Sequence, residues 1–118
     1  MSESDLKAAL LLAAPLALPT LRLFVRPIMR VRRDERVYSI GIKGQSDLYG
    51  LVRGGGHIEL ELKDVHTVTT SHQRTWRAFC RTWGVPHREL RARAGESTEQ
   101  TVERWVEEIR ELIPCCEK

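Results

Sequence analysis

Two carboxylates and a lysine occur in an order that suits phosphodiester chemistry. Asp47 follows the tripeptide Gly44-Gln45-Ser46, and Glu61 and Lys63 end a segment of alternating apolar and polar residues. Two carboxylates at short range repel each other unless a cation lies between them, and oxygen ligands favour Mg²⁺ or Mn²⁺ over zinc. A divalent ion acidifies its bound water and neutralises charge on phosphorus, while a lysine either orients and helps deprotonate that water or stabilises the phosphate. These residue types predict a metal-assisted phosphodiesterase site.

The turn between the two parts of this site decides whether they meet. If Gly54-Gly55-Gly56 is a three-residue hairpin loop, Asp47 lies opposite Lys63 on the neighbouring strand. Glu61 is then the diagonal neighbour of Asp47 on the same face. The assumed loop is therefore consistent with a site on the polar face of the hairpin. A shift of one residue in register would instead turn Asp47 away from Glu61.

The elements that must position these residues follow from hydrophobic periodicity. Alternating segments predict strands over residues 21–25, 28–31, 37–42, 47–52, 57–63 and 88–92, with a hairpin turn at 33–35. Helices are expected over 4–14, ended by Pro15, from Thr70 or Ser71 to Gly84, and from a capping box at 97–100 to Pro114. The order predicts an α/β fold in which residues 1–118 form a single domain with a mixed β-sheet flanked by helices.

The arginines are concentrated in two blocks. Residues 20–46 and 71–94 each carry a net charge of +5, whereas residues 95–118 carry −4. The arginine fork matches phosphate geometry, so the blocks are a candidate nucleic-acid surface, with an ordinary solvated surface as the alternative. The candidates for phosphate contacts are the arginines off the apolar face of the second helix, Arg74, Arg77 and Arg81.

Other noteworthy side chains have simpler explanations. The aromatic residues Trp76, Phe79 and Trp83 recur at helical spacing together with Cys80, and this pattern favours packing in the core over base stacking. Glu59 shares the face of Glu61, but a solvated glutamate is the favoured interpretation. The four histidines lack the spacing of metal ligands.

Composition also restricts the compartment. Three cysteines give no disulfide framework, which indicates a reducing cytoplasm. The apolar run at 8–19 has no clearly positive segment before it and is too short to span a bilayer. We therefore expect an amphipathic first helix docked on the core, and neither a secretion signal nor a membrane partner.

The motifs together carry a family resemblance. Gly44-x-x-Asp47, a short apolar strand, a glycine turn, Glu61-Leu62-Lys63 and then Ser71-His72-Gln73 at a helix start follow one another. Over residues 22–112 this order resembles the PD-(D/E)XK nuclease superfamily, and within it the virus-type replication-repair nuclease (VRR-NUC) family. Ser46 stands where the name of the superfamily has proline. The resemblance implies a restriction-endonuclease-like core.

The resemblance also implies roles for individual residues. Asp47, Glu61 and the backbone carbonyl of Leu62 would bind Mg²⁺ or Mn²⁺, Lys63 would be catalytic, and Gln73 would lie at the site. The position of Gln73, three residues after a threonine, is equally typical of a capping box.

Many members of the family place a further acidic residue from the first helix near the metal. Glu3 is the best match in this chain, and Asp5 is the second.

The resemblance finally implies a partner and an assembly. The expected activity is that of a divalent-cation-dependent DNA endonuclease acting on branched DNA such as a four-way (Holliday) junction, in a bacterial or phage-infected cytoplasm. Symmetric cutting needs two sites, which a homodimer supplies; the apolar segment 8–18 and the strand residues Leu23, Val25 and Ile28 are candidate contacts. A non-catalytic nucleic-acid-binding module with the same fold is the alternative, and an RNA-directed or toxin-type nuclease is a third possibility.

Overall fold

The chain folds as a mixed α/β structure, as predicted. The computed structural model describes residues 2–27, 29–34, 36–40 and 44–113. The helices and strands within these ranges are α1 (Glu3–Ala17), β1 (Leu21–Val25), β2 (Met29–Arg33), β3 (Arg36–Ile40), β4 (Leu48–Val52), β5 (Gly56–Lys63), α2 (Ser71–Thr82), β6 (His87–Arg91) and α3 (Thr98–Leu112).

Four of the strands form one mixed sheet in the order β1-β4-β5-β6. The β1–β4 and β4–β5 pairs are antiparallel, and β5 pairs with β6 in parallel. A parallel pair needs a crossover connection, and α2 supplies it between β5 and β6. Strands β2 and β3 form a separate antiparallel hairpin. The predicted mixed sheet flanked by helices is therefore confirmed.

The apolar core lies between the sheet and the helices α1 and α3. Helix α1 contributes Leu6, Leu10 and Ala14, so the expected docking of the first helix on the core is confirmed, and α3 contributes Trp105 and Ile109. Helices α2 and α3 begin with the predicted capping boxes, and α1 begins at Glu3 with a capping box between Ser2 and Asp5 that was not predicted. None of the helices in the described part of the chain combines the length and apolarity that a bilayer crossing requires.

Helix α1 is longer than predicted. It continues through Pro15 to Ala17, and the amide of Leu18 donates to the carbonyl of Ala14 at 2.8 Å. Proline removes one backbone donor, and here it does so in the last turn of the helix. Ala14 and Leu18 are buried on either side of Pro15, so packing of this turn on the core outweighs the lost hydrogen bond.

The glycine turn begins one residue earlier than predicted, and this shifts the pairing of β4 with β5 by two residues. Val52 pairs with Gly56, so the loop is Arg53-Gly54-Gly55. Gly54 and Gly55 have positive φ angles of 98° and 107°, which glycine adopts without strain, and the third glycine begins β5 instead.

This register corrects the predicted pairing of Asp47. Leu48 lies opposite Leu60, and extending the ladder by one residue places Asp47 opposite Glu61 rather than Lys63. Because the difference is an even number of residues, Asp47 stays on the face that was expected.

The second hairpin has the turn that the sequence predicted. Strand β2 ends at Arg33 and β3 begins at Arg36, and Asp34 between them has a positive φ of 50°. The predicted strand ends at Ile28 and at 41–42, and the helix stop at Pro114, lie outside the described residues.

Candidate active site

The polar face of β5 is buried. Glu61 is 1% exposed and Lys63 is 2% exposed, and Glu59 is buried as well, so the expectation of a solvated Glu59 was wrong. Strand β5 has β4 on one side and β6 on the other, and α2 reaches the face that carries these charged groups. Charged side chains are almost never fully buried without partners, so each of them needs an explanation.

Glu61 is a buried carboxylate that has Lys63 as a distant ion-pair partner and lacks a hydrogen bond within the described part of the chain. Both carboxylate oxygens are buried without a hydrogen-bond partner among the described residues, and the Lys63 ammonium lies 3.6 Å away. Burial raises the pKa of the Glu61 carboxyl to about 7, and the negative charge of Asp47 adds to this rise, whereas Lys63 opposes it. A buried carboxylate without donors is costly, and a bound cation would remove that cost.

Asp47 is held beside Glu61 by the end of the β4–β5 ladder. Its Oδ2 atom accepts a hydrogen bond of 3.0 Å from the backbone amide of Leu62. In an extended strand the N–H and C=O groups of one residue point to the same side, so the Leu62 carbonyl faces the edge where Asp47 lies. The three groups expected to hold a metal are therefore on adjoining positions of two paired strands.

Lys63 is positioned by the start of α2. Its Nζ atom donates to Gln73 Oε1 at 2.5 Å and to the carbonyl of Val68 at 3.5 Å. Gln73 Oε1 also accepts from the amide of Thr70 at 2.9 Å, as the third residue of a capping box. The capping interpretation of Gln73 is confirmed, and the same oxygen that caps the helix also holds Lys63.

The loop before Asp47 requires glycine at position 44. Gly44 has a φ of +85°, and a Cβ atom there would lie 2.3 Å from the carbonyl group of His72. The loop can therefore rest on the start of α2 only without a side chain at this position. Two residues later, the buried Ser46 accepts a hydrogen bond of 2.9 Å from Trp76 Nε1. These contacts join the Asp47 loop to the helix that positions Lys63.

The first turn of α1 brings a further carboxylate towards the site. Burial raises the pKa of Glu3, and the charges of Asp47 and Asp64 raise it further, so Glu3 lies within electrostatic range of the site. Asp5 is exposed and accepts a hydrogen bond from the amide of Ser2, as part of the helix cap. Of the two acidic residues considered in this helix, Glu3 interacts electrostatically with Asp47, and Asp5 caps the helix.

The donor set fits a magnesium-type ion. Within the described ranges, no group of three or more His, Cys, Asp and Glu side chains is arranged to hold a metal. Mg²⁺ characteristically takes one or two carboxylates and completes its shell with water and substrate phosphate. The oxygens of Glu61, which accept no hydrogen bond from the described residues and lie near Asp47, match that requirement. Asp47, Glu61 and the Leu62 carbonyl would hold the ion.

A second buried charge cluster was not anticipated from the sequence. Arg26 donates to both oxygens of Glu59 at 2.6 and 3.0 Å and to the carbonyl of Ser46 at 3.1 Å. His57 Nε2 lies 2.6 Å from the same carboxylate, and these partners lower the pKa of Glu59 although burial opposes this. The shared face of Glu59 and Glu61 was a usable signal for burial, but nothing local links Arg26 to Glu59.

The three arginines of α2 have different surroundings. Arg77 donates to Glu89 on β6 at 3.0 Å, and Arg74 donates to the carbonyl of Thr69 at 3.0 Å. Arg74 and Arg81 are exposed, whereas Arg77 is half-buried. Arg77 therefore ties α2 to the sheet, and the other two arginines are open to a polyanion.

Comparison with known proteins does not place the chain in a family. A scan against protein-family models finds no match, and a search of curated proteins finds no match either.

The burial of Glu61 predicts an unusual pH dependence of stability in the absence of metal. Its carboxyl is neutral in the fold below about pH 7 but ionises near pH 4.5 in the unfolded chain, so its contribution to stability falls as pH rises between these values. The free energy of unfolding of Glu61→Gln, taken relative to that of wild type, should therefore increase by about 2 kcal/mol from about pH 5 to about pH 8. Urea unfolding at both pH values measures this difference.

Glu59→Gln is the matched control, since Glu59 is buried on the same strand face but paired with Arg26. It should destabilise the protein at neutral pH. Mg²⁺ should raise the melting temperature of wild type and not that of Glu61→Gln. Equal effects of Glu61→Gln at both pH values would contradict the prediction.

Proposed function

We propose that this protein is a metal-dependent DNA endonuclease with a restriction-endonuclease-like PD-(D/E)XK core, related to the VRR-NUC family and active in a bacterial or phage-infected cytoplasm. The observation that carries the proposal is the 1% exposed carboxylate of Glu61, which lies beside Asp47 and Lys63 and has no hydrogen-bond partner among the described residues. A buried carboxylate without a compensating cation lowers the stability of the fold, and such groups cluster at functional sites. The order Asp47, Glu61, Lys63 and Gln73 supports the same assignment through the family resemblance.

The residues of the chain divide the work. A divalent ion held by Asp47 and Glu61 would supply an acidified water and neutralise negative charge on the phosphate. The ammonium of Lys63 would lie next to the substrate phosphate and stabilise the charge that develops on its oxygens. Gln73 is a positioning residue, because its Oε1 atom holds the Lys63 Nζ atom.

The charge around α2 supports nucleic acid as the substrate. Residues 65–88 contain four arginines and three histidines and no acidic residue. The exposed Arg74 and Arg81 are available to phosphates, whereas Arg77 forms an ion pair with Glu89. We expect a binding affinity that falls with salt, because each phosphate contact releases counterions.

A homodimer acting on branched DNA completes the proposal. Leu12 and Leu16 on the outer side of α1 and Val25 on β1 are large apolar residues open to solvent, and Leu23 is half-buried. Leu12 and Leu16 are four residues apart and therefore neighbours on one face of α1, and contiguous exposed apolar side chains mark a contact surface. A two-fold dimer would supply one site for each of two strands.

The test is cleavage of a four-way junction, a linear duplex and a single strand of matched sequence. We expect cleavage that requires Mg²⁺ or Mn²⁺, stops on chelation, and is fastest on the junction. Metal dependence reports the site, and the ranking of substrates reports the proposed specificity.

Two further readouts separate the parts of the proposal. Light scattering should give a mass of about twice 13.6 kDa. A monomer that cuts the junction and the duplex equally would leave a general nuclease. Tight DNA binding without cleavage in any divalent ion would make the protein a non-catalytic binding module instead.

A further inference from the structure

Helix α2 carries a row of aromatic rings that are not buried in the apolar core. Trp76 stacks on Phe79 with 5.4 Å between ring centroids, and Phe79 lies 5.9 Å from Trp83. Phe79 is 48% exposed and Trp83 is 71% exposed, so the expectation that this face packs in the core was wrong. Cys80 is the buried residue of the helix. Trp76, Phe79 and Trp83 are called the aromatic ridge below.

The ridge begins at the candidate active site. Trp76 donates to Ser46, the residue before Asp47, and the guanidinium of Arg26 lies 5.7 Å from the centre of its ring. These contacts hold the first ring in place and leave the outer two open. Seven residues separate the first and last rings, which corresponds to about 10 Å along the helix axis. The ridge therefore leads from the Asp47 loop out to solvent.

The charge around the ridge selects its occupant. No acidic residue occurs between 65 and 88, and the helix itself carries three arginines. A two-fold contact through α2 would bring two such basic helices together, which like-charge repulsion disfavours. A polyanion that also presents flat apolar surfaces matches both the charge and the rings. Single-stranded nucleic acid has these two properties, because its phosphates are charged and its unpaired bases stack on aromatic side chains.

We propose that the aromatic ridge binds unpaired bases of single-stranded nucleic acid by stacking. The binding requires no catalysis, and only its role in leading a strand towards Asp47 and Glu61 rests on the proposed function. The outermost ring, Trp83, offers the most accessible surface, and Phe79 continues the stack towards Trp76.

The test measures binding in the presence of a chelator, so that it is independent of cleavage. The probes are a thymidine oligonucleotide, an abasic oligonucleotide of the same length, and a blunt duplex. Phe79→Ala with Trp83→Ala should weaken binding of the thymidine strand by about 10-fold or more. Binding of the abasic strand and the duplex should change by less than about 2-fold, since the arginines and phosphates are unaltered.

Controls separate stacking from loss of fold and from self-association. Leu51→Ala removes another apolar side chain, on β4, that is 48% exposed like that of Phe79, and should leave all three affinities unchanged. Trp83→Phe keeps an aromatic face and should retain most of the affinity, and Trp83→Ala alone serves if the double variant unfolds. Equal losses on thymidine and abasic strands, or no loss on either, would overturn the proposal. A fall in solution mass caused by Trp83→Ala would assign the ridge to contact between two copies.

Discussion

Asp47→Asn is expected to lower the rate of DNA cleavage by about 1,000-fold or more while leaving the fold intact. The change removes one of two carboxylates that would hold the metal, and electrostatic stabilisation by such an ion amounts to several kcal/mol in the transition state. Asparagine is nearly the same size and retains an oxygen that can accept the hydrogen bond from the Leu62 amide. Initial rates in Mg²⁺ and melting curves of both proteins provide the measurement.

The matched control is Asp5→Asn. Asp5 belongs to the cap of α1, and asparagine is also a good acceptor near a helix start. Its cleavage rate should stay within about 2-fold of wild type, since no contact of Asp5 reaches Asp47 or Glu61. Full activity of a purified Asp47→Asn protein would refute the proposed site.

Lys63→Met is expected to lower the maximal rate by about 100-fold with little change in DNA affinity. Methionine keeps much of the length of the buried side chain but removes the ammonium that would stabilise charge on the phosphate. Binding depends chiefly on arginines elsewhere, so the effect should fall on kcat rather than on KM. Because the variant leaves Glu61 without its neighbouring cation, the rates are compared in saturating Mg²⁺.

Two variants interpret the result. Lys7→Met changes another lysine, on α1, and should leave kcat unaltered. Gln73→Ala removes the hydrogen-bond acceptor of Lys63 but leaves the charge of Lys63 in place. It should lower kcat by about 10-fold, which is less than the fall expected for Lys63→Met. An increase in KM with unchanged kcat in Lys63→Met would show that Lys63 binds the substrate without taking part in the reaction.

The sequence by itself determined the features that depend on neighbouring residues. The alternation of β5 separated Ile58, Leu60 and Leu62 from the charged residues, and capping boxes predicted the starts of α2 and α3 correctly. The mixed sheet flanked by helices followed from the order of these elements. Such features are local because side-chain direction in a strand and the donors at a helix start are set within a few residues.

Tertiary structure decided what the charged face of β5 meets. Glu61 is buried without a hydrogen bond from the described residues because β4, β6 and α2 surround it, and Glu59 pairs with Arg26, which is 33 residues away in the chain. The loop register depended on which glycines took positive φ angles, and this moved Asp47 opposite Glu61.

The aromatic face of α2 shows the same limit. Its apolar spacing resembles that of a buried helix, yet α2 buries Cys80 and leaves Trp83 in solvent. Periodicity shows that a helix has an apolar face, but it does not show whether another element covers that face. In this chain α1 and α3 cover the opposite side of the sheet, so burial there and exposure along α2 are consequences of how distant segments pack.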